Sequence, residues 1–147
     1  AVRRTALIAL VHCREPRLPG RLLGIARDAK LSVSLRTHAA GLLGAVPAVS
    51  RIPQIAALLA TTQATDDTAP IAAKLAHALG EIGDLRATEA LVSALTHPRA
   101  PEVQHAAAEA LGKLCPETAF PVLEKAVASA DPVLVRVARL ALARCRR

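Results

Sequence analysis

Two histidine–glutamate pairs are the residues of this chain whose types and spacing could support metal chemistry. His77 and Glu81, and again His105 and Glu109, stand four residues apart. On a helix this spacing places both side chains on one face, where imidazole and carboxylate groups can coordinate a divalent metal. The two pairs occupy different positions in the sequence repeat described below, so they are not expected to meet in one four-ligand site. We therefore predict no metal site and no cofactor.

The cysteines are the other candidates for chemistry. Cys13, Cys115 and Cys145 form no Cys-x-x-Cys pair and no even set, which argues against a disulfide framework and favours a reducing cytoplasm. Cys13 and Cys145 fall at equivalent core positions of the repeat, where small buried side chains are expected. No Cys–His or Ser–His–Asp arrangement is supported by spacing, so we predict a protein without catalytic activity.

Length and composition favour one helical domain. The chain has 147 residues, 52% of them apolar, with a single Phe and no Met, Trp or Tyr, so its core must consist of Ala, Leu, Val and Ile. No apolar run reaches the ~18 residues that a membrane helix needs, so no membrane span is expected. The helix-like opening without an initiator Met indicates that this single domain, residues 1–147, is a fragment of a larger protein.

A repeat organises the chain. Its anchors are Leu10, Leu43, Leu79, Leu111 and Leu142, at spacings of 33, 36, 32 and 31 residues. An apolar residue lies eight positions before each anchor. Each of the first four anchors is also followed by an apolar or small residue 12 positions later and by another 16 positions later. Apolar residues three and four apart indicate helices, and Gly and Pro indicate the turns. The predicted helices are 1–13, 18–28, 33–46, 51–63, 69–83, 86–96, 101–115, 117–130 and 133–146, and the connection 61–70 is predicted to be a mobile loop.

The clearest copies of the repeat lie between Ile71 and Cys115. They read Ala-His-Ala-Leu-Gly-Glu-Ile-Gly-Asp at 76–84 and Ala-Ala-Ala-Glu-Ala-Leu-Gly-Lys-Leu at 106–114. This segment resembles the HEAT-like repeats first described in phycobilisome bilin lyases. The resemblance implies an all-α fold, an α-α superhelix (right-handed solenoid) of about four and a half helical hairpins and nine helices. It also implies a concave groove, lined by the anchor helices, through which relatives bind other macromolecules.

The HEAT-like iron enzyme deoxyhypusine hydroxylase offers one specific site to test against this sequence. That enzyme uses adjacent His-Glu dipeptides. Here His38, His77 and His105 are each followed by Ala, so the site is not carried over.

The predicted groove consists of residues seven, six and two positions before the anchors. Those with polar or charged side chains are Arg3, Arg4, Arg36, Thr37, His77, Gln104, His105, Glu109 and Arg136. Such a face is basic at both ends and nearly neutral in the middle. It is either an ordinary solvated face or a groove for an acidic protein segment or a phosphate backbone. Ile8 and Leu140, apolar where the middle copies are polar, are either further contact points or positions that more repeats cover in the intact protein.

The net charge of +7 leaves three functions open. A protein-interaction scaffold for a macromolecular protein partner is favoured, and the basic charge suits an acidic one. Sequence-nonspecific nucleic-acid binding through the phosphate backbone is the alternative, without base stacking, because Phe120 is the only aromatic residue and is predicted on an outer helix. A bilin lyase-type subunit rests on the resemblance alone, since no chromophore-handling residue can be identified.

Overall fold

The computed structural model describes residues 4–6, 8–9, 16–46, 48–97 and 100–147. Residues 4–6, 8 and 9 are helical, and eight further helices have defined bounds. They are α1 (Leu18–Arg27), α2 (Val33–Leu42), α3 (Ile52–Thr62), α4 (Ala69–Ile82), α5 (Thr88–Thr96), α6 (Pro101–Leu114), α7 (Phe120–Val127) and α8 (Pro132–Cys145). No strand occurs among these residues. The all-α prediction is confirmed.

The predicted helix bounds agree with the structure to within about three residues, except at the C-terminus of α2. A short 3-10 turn precedes each of α3, α5 and α7, at 49–51, 85–87 and 117–119, so these helices begin later than predicted. The helical stretch predicted at 33–46 closes with a 3-10 turn at 43–45. The predicted first helix, 1–13, falls largely outside the described residues. None of the described helices is both long and apolar enough to cross a membrane.

The helices pair into hairpins, and the hairpins stack. The inner helices α2, α4, α6 and α8 pack directly on one another in that order, whereas the outer helices α1, α3, α5 and α7 contact one another much less. Because one side of the stack is packed more closely than the other, the stack curves towards the inner helices. The anchors Leu43, Leu79 and Leu111 are fully buried between the two layers. So are the residues twelve positions after the first four anchors, Leu22, Ile55, Leu91 and Leu123, as the repeat register predicts.

Glycines on the inner helices set how closely neighbouring repeats approach. A Cβ atom added to Gly80 would lie 2.8 Å from the Cβ of Ala110, and one added to Gly112 would lie 2.8 Å from the Cβ of Ala141. Real Cβ atoms essentially never come this close to another atom. The glycine that follows the leucine anchor is therefore required by the contact between α4 and α6, and between α6 and α8.

Local signals explain where the helices begin and end. The Asp131 carboxylate accepts hydrogen bonds from the backbone N–H groups of Val133 and Leu134, at 2.9 and 3.3 Å, and so caps the start of α8. At the other end of the repeat, α4 stops at Gly83, whose φ of 75° is left-handed. The equivalent residue after α6 is Cys115, which adopts φ 51° although it carries a side chain.

A disulfide joins Cys115 to Cys145, and the prediction that the cysteines remain unpaired is wrong. Their Cα atoms are 5.2 Å apart. Cys115 follows α6 and Cys145 ends α8, so the lateral stacking of two inner helices brings both residues to the same edge. Cys145 occupies the same repeat position as Cys13, which lies outside the described residues. That equivalence predicts a buried thiol and gives no sign that Cys145 lies next to Cys115. Because disulfides persist mainly in oxidising compartments, the pair also removes the cysteine argument for a reducing cytoplasm.

The connection between α3 and α4 is a hydrogen-bonded turn rather than an open loop. A 3-10 turn occupies Asp66–Thr68. The Thr68 hydroxyl donates to the carbonyl oxygen of Thr62 at 2.6 Å, and the Thr65 and Thr68 hydroxyl oxygens are 2.6 Å apart. These bonds tie the connection back to the end of α3.

Candidate binding surface of the inner helices

The exposed faces of α4, α6 and α8 form one strip along the inner side of the stack. We call this strip the inner surface; its side chains are His77, Glu81, Glu109, Lys113, Arg136, Leu140 and Arg144. The close contacts at Gly80 and Gly112 place the three helices side by side, so residues 31 or 32 apart in sequence become neighbours. The inner surface therefore brings together three of the predicted groove residues, His77, Glu109 and Arg136.

Charges in the middle of the inner surface neutralise one another. Lys113 Nζ on α6 donates to Glu81 Oε1 on α4, and it lies 3.7 Å from Glu109 Oε1 on its own helix. His77 Nε2 is 3.9 Å from Glu81 Oε1. The hydrogen bond and the charge of Lys113 lower the pKa of Glu81, against a small opposing effect of burial. Three of the four residues first considered for metal chemistry, His77, Glu81 and Glu109, are thus part of an ion-pair row centred on Lys113.

The α8 end of the inner surface is different. Arg136, Leu140 and Arg144 follow one another at intervals of four residues and therefore share a helix face. Leu140 is 65% exposed, the most exposed large apolar side chain in the described part of the chain. Neither arginine forms an ion pair with any described residue. This end of the surface combines two uncompensated positive charges with an exposed apolar side chain.

A cavity of about 550 Å³ opens beside this cluster, between α6 and α8. Its walls are Glu109, Gly112, Arg136, Val137, Leu140, Ala141 and Arg144. The floor is the close contact of Gly112 with Ala141, where the two helices touch. From the repeat register, Leu140 is predicted to be either a contact point or a position that further repeats cover, and Arg144 is not among the predicted groove residues. Arg144 lies two residues after its anchor, as Glu81 and Lys113 do. This shared repeat position is the signal that could have placed Arg144 on the inner surface.

Two predicted groove residues lie at the edge of the stack instead. Arg36 is only 8% exposed, and its Nε donates to the carbonyl oxygen of Ala26 at 3.0 Å. Gln104 Nε2 donates to the carbonyl oxygen of Leu95, also at 3.0 Å. Both side chains cover the last turn of the outer helix that precedes them. Arg36 is therefore not part of the exposed inner surface, and the prediction is corrected at this position.

The remaining predicted groove residues have mostly local partners. His105 donates from Nε2 to Asp131 Oδ2 at 2.5 Å, and this bond is the largest cause of the lowered pKa of Asp131. The Thr37 hydroxyl donates to the Val33 carbonyl oxygen of its own helix at 2.7 Å. Arg4 is exposed on a helical segment, and Arg3 lies outside the described residues. Among the described residues, no three His, Cys, Asp or Glu side chains come together to hold a metal ion.

A family model described as HEAT repeats matches residues 55–143, from α3 to near the end of α8 and over more than half of the chain. No curated protein matches.

Proposed function

Because the chain belongs to the HEAT repeat family, we propose that residues 1–147 act as one non-enzymatic protein-interaction domain. The partner is an acidic protein segment that carries an apolar side chain. The observation that carries the proposal is the α8 end of the inner surface, where the exposed Leu140 lies between the uncompensated Arg136 and Arg144. Acidic residues of the partner would pair with the arginines while its apolar side chain covers Leu140.

The distribution of paired and unpaired charges on the inner surface indicates where the partner docks. Around Lys113 each charge already has a partner, so an incoming carboxylate would have to displace Glu81 or Glu109. At α8 no displacement is needed, and the helix and its C-terminal residues, 132–147, contain no Asp or Glu. We therefore place the contact beside the cavity between α6 and α8.

Nucleic-acid binding is the competing function for a basic surface. A phosphate backbone would use the arginines but would gain little from an exposed leucine between them. Phe120, the only aromatic residue, starts the outer helix α7 and is half-buried. Base stacking from the inner surface is therefore not available, and only salt-sensitive backbone contact would remain.

The proposal is tested with a labelled acidic peptide in which one leucine is flanked by glutamates. Fluorescence anisotropy measures its Kd for the wild-type chain and for Leu140→Ser, Arg136→Glu and Arg144→Glu. We expect each variant to weaken binding about tenfold or more, since one buried leucine contributes ~1.5–3 kcal/mol. The matched control is Arg139→Glu, the same charge reversal at an exposed position of α8 that does not line the cavity.

Two outcomes would sink the proposal. The first is that Leu140→Ser binds the peptide as tightly as the wild type. The second is that a single-stranded oligonucleotide binds more tightly than the peptide and loses affinity equally in Arg136→Glu and Arg139→Glu. That pattern would assign the surface to non-specific backbone contact.

A further inference from the structure

Arg36 and Gln104 occupy the same position of the repeat, seven residues before the anchors Leu43 and Leu111. Each donates one hydrogen bond to the last turn of the preceding outer helix, Arg36 to Ala26 and Gln104 to Leu95, both at 3.0 Å. The bond is therefore a feature of the repeat, and a neutral amide is sufficient to make it. An arginine at this position brings a positive charge that the fold does not require.

The Arg36 charge has no counter-ion among the described residues. The residue is 8% exposed overall, and its only side-chain hydrogen bond to a described residue uses Nε, one of five N–H donors. No described carboxylate forms an ion pair with it. The carbonyl end of α1 compensates the charge only in part. Arg36 also lines a cavity, so the guanidinium N–H groups that the fold does not use can donate to an anion there.

A cavity of about 520 Å³ lies against Arg36, between the C-terminal ends of α1 and α3 and the α3–α4 turn. We call it the arginine pocket. Arg27 is a second cation in its wall, and Ala57 and Leu58 supply an apolar side. The cavity beside Gln104 lies at the corresponding edge of the stack but is smaller, about 380 Å³, and its wall contains one cation, Lys125, and no arginine.

The threonines of the arginine pocket do not provide donors for a ligand. The hydroxyls of Thr61 and Thr62 donate to carbonyl oxygens of their own helix, and Thr68 donates to the carbonyl oxygen of Thr62. Recognition must therefore come from the guanidinium groups of Arg27 and Arg36. Two arginines suit a phosphate group, whose charge of about −2 at neutral pH balances both and whose oxygens accept paired N–H donors.

We infer that the arginine pocket binds a phosphate group through Arg27 and Arg36. The group is either a small phosphate or the phosphorylated side chain of a partner protein. This site is separate from the inner surface, since it is formed by α1, α2, α3 and the turn at 66–68. Its loss would leave peptide binding at α8 unchanged.

The sequence supplies the variant that tests this inference. Arg36→Gln recreates the side chain found at Gln104, so it keeps the carbonyl bond while removing the charge. Titration of the full chain with inorganic phosphate, followed by NMR at constant ionic strength set with chloride, gives the Kd. We expect at least a tenfold weaker Kd in Arg36→Gln, and a weaker Kd also in the exposed Arg27→Gln. In the wild type the shifted resonances should come from Thr61, Thr65 and Ala57.

Arg139→Gln is the matched control, because it removes one arginine charge from α8, far from the pocket. It should bind phosphate as the wild type does. Equal phosphate affinity in the wild type and in a folded Arg36→Gln variant would overturn the inference, and so would an equal loss in Arg139→Gln. A phosphoserine peptide distinguishes the two sources. Binding tighter than inorganic phosphate, and lost without the phosphate, assigns the pocket to a modified partner; binding no tighter assigns it to a small phosphate.

Discussion

The N-terminal helices α1–α3 and the C-terminal helices α6–α8 share one repeat register but are held by different contacts. In the C-terminal part, side chains cross from one repeat to the next: a disulfide joins Cys115 to Cys145, and His105 bonds Asp131. In the N-terminal part, the Arg36 side chain bonds a backbone carbonyl of the adjacent helix, next to the arginine pocket. Equal helical geometry therefore does not imply equal stability along the stack.

The difference matters because each repeat of a stack contacts only its neighbours. Stability is then close to a sum of repeat and interface contributions, and a weak end can open without the rest. We expect the local opening that allows amide hydrogen exchange to have a lower free energy in α1 and α2 than in α6 and α8. The same contrast fits the proposed uses of the two ends, with a ligand-dependent pocket on one and a fixed docking surface on the other.

The largest expected effect comes from removing the disulfide. Replacing Cys115 and Cys145 together by Ala is expected to lower the free energy of unfolding by about 3–4 kcal/mol, since the bridge closes a loop with a sequence separation of 30 residues. Urea denaturation measures the loss, and hydrogen exchange should locate it in α6–α8. A reducing agent should reproduce the loss in the wild type and have no effect on the double variant. Three titratable free thiols in the native, unreduced protein would contradict the pairing.

A smaller effect is expected from filling the inner contacts. Gly112→Ala forces a Cβ against the Cβ and Cα of Ala141, and overpacking of this kind costs about 1–3 kcal/mol. Gly44→Ala should cost less, because the new Cβ would lie 3.0 Å from the Cβ of Glu81 and 3.1 Å from the Cα of Ala78. Thermal unfolding of both variants compares the two ends of the stack directly.

Gly24→Ala is the control for the glycine series. A Cβ at this position of α1 meets nothing within 4 Å, so the substitution should stabilise the protein by about 0.5–1 kcal/mol through helix propensity alone. If Gly112→Ala were as stabilising as Gly24→Ala, the close approach of α6 and α8 would be disproved.

The smallest effect concerns acid. Hydrogen bonds from Lys113, Arg86 and His105 are the largest causes of the lowered pKa values of Glu81, Asp84 and Asp131, respectively, and that of Asp84 falls to about 2. Because the folded pKa values are lowered, this stabilisation is present above the ordinary carboxyl pKa values and is lost as pH falls through the folded ones. All three carboxylates lie between α4 and α8. Lowering the pH from about 5 to about 2 should therefore weaken the segment from α4 to α8 more than α1 and α2.

Asp131→Asn tests the acid effect at one residue. Asparagine keeps an oxygen to cap α8 but removes the charge that faces His105. Denaturant unfolding across this pH range should show a shallower loss of stability than in the wild type. Asp66→Asn, the same change on the exposed α3–α4 turn, should retain the wild-type slope. An unchanged slope in Asp131→Asn would remove the His105–Asp131 bond from the explanation.

The repeat made most of the fold predictable from sequence. Leu43, Leu79 and Leu111 recur with apolar partners at fixed offsets, so their burial and the positions of the helices follow from periodicity within the chain. The 3-10 turns before α3, α5 and α7 were missed because helical spacing continues through them. Their presence depends on how the chain enters each outer helix, which apolar periodicity does not report.

Contacts between repeats were less predictable. The Cys115–Cys145 bridge and the Lys113–Glu81 ion pair join residues 30 and 32 positions apart, and which offset brings two side chains together depends on how the helices stack. Arg36 shows a second limit. Helical periodicity gives the face of α2 on which it lies, but not that the end of α1 covers this face. Of the predicted groove residues, His77, Glu109 and Arg136 lie in one row, whereas Arg36 and Gln104 bond the ends of outer helices.

The contacts at Gly80 and Gly112 also have a mechanical consequence. Along the inner side, backbone and Cβ atoms of neighbouring helices already touch, so this side resists compression. Along the outer side, neighbouring helices touch much less and have room to separate or approach. We therefore expect the stack to bend mainly through changes in the spacing of the outer helices α3, α5 and α7, while the spacing of the inner helices stays nearly fixed. A partner bound to the inner surface would therefore keep nearly constant distances to its contact residues while the outer side of the stack bends.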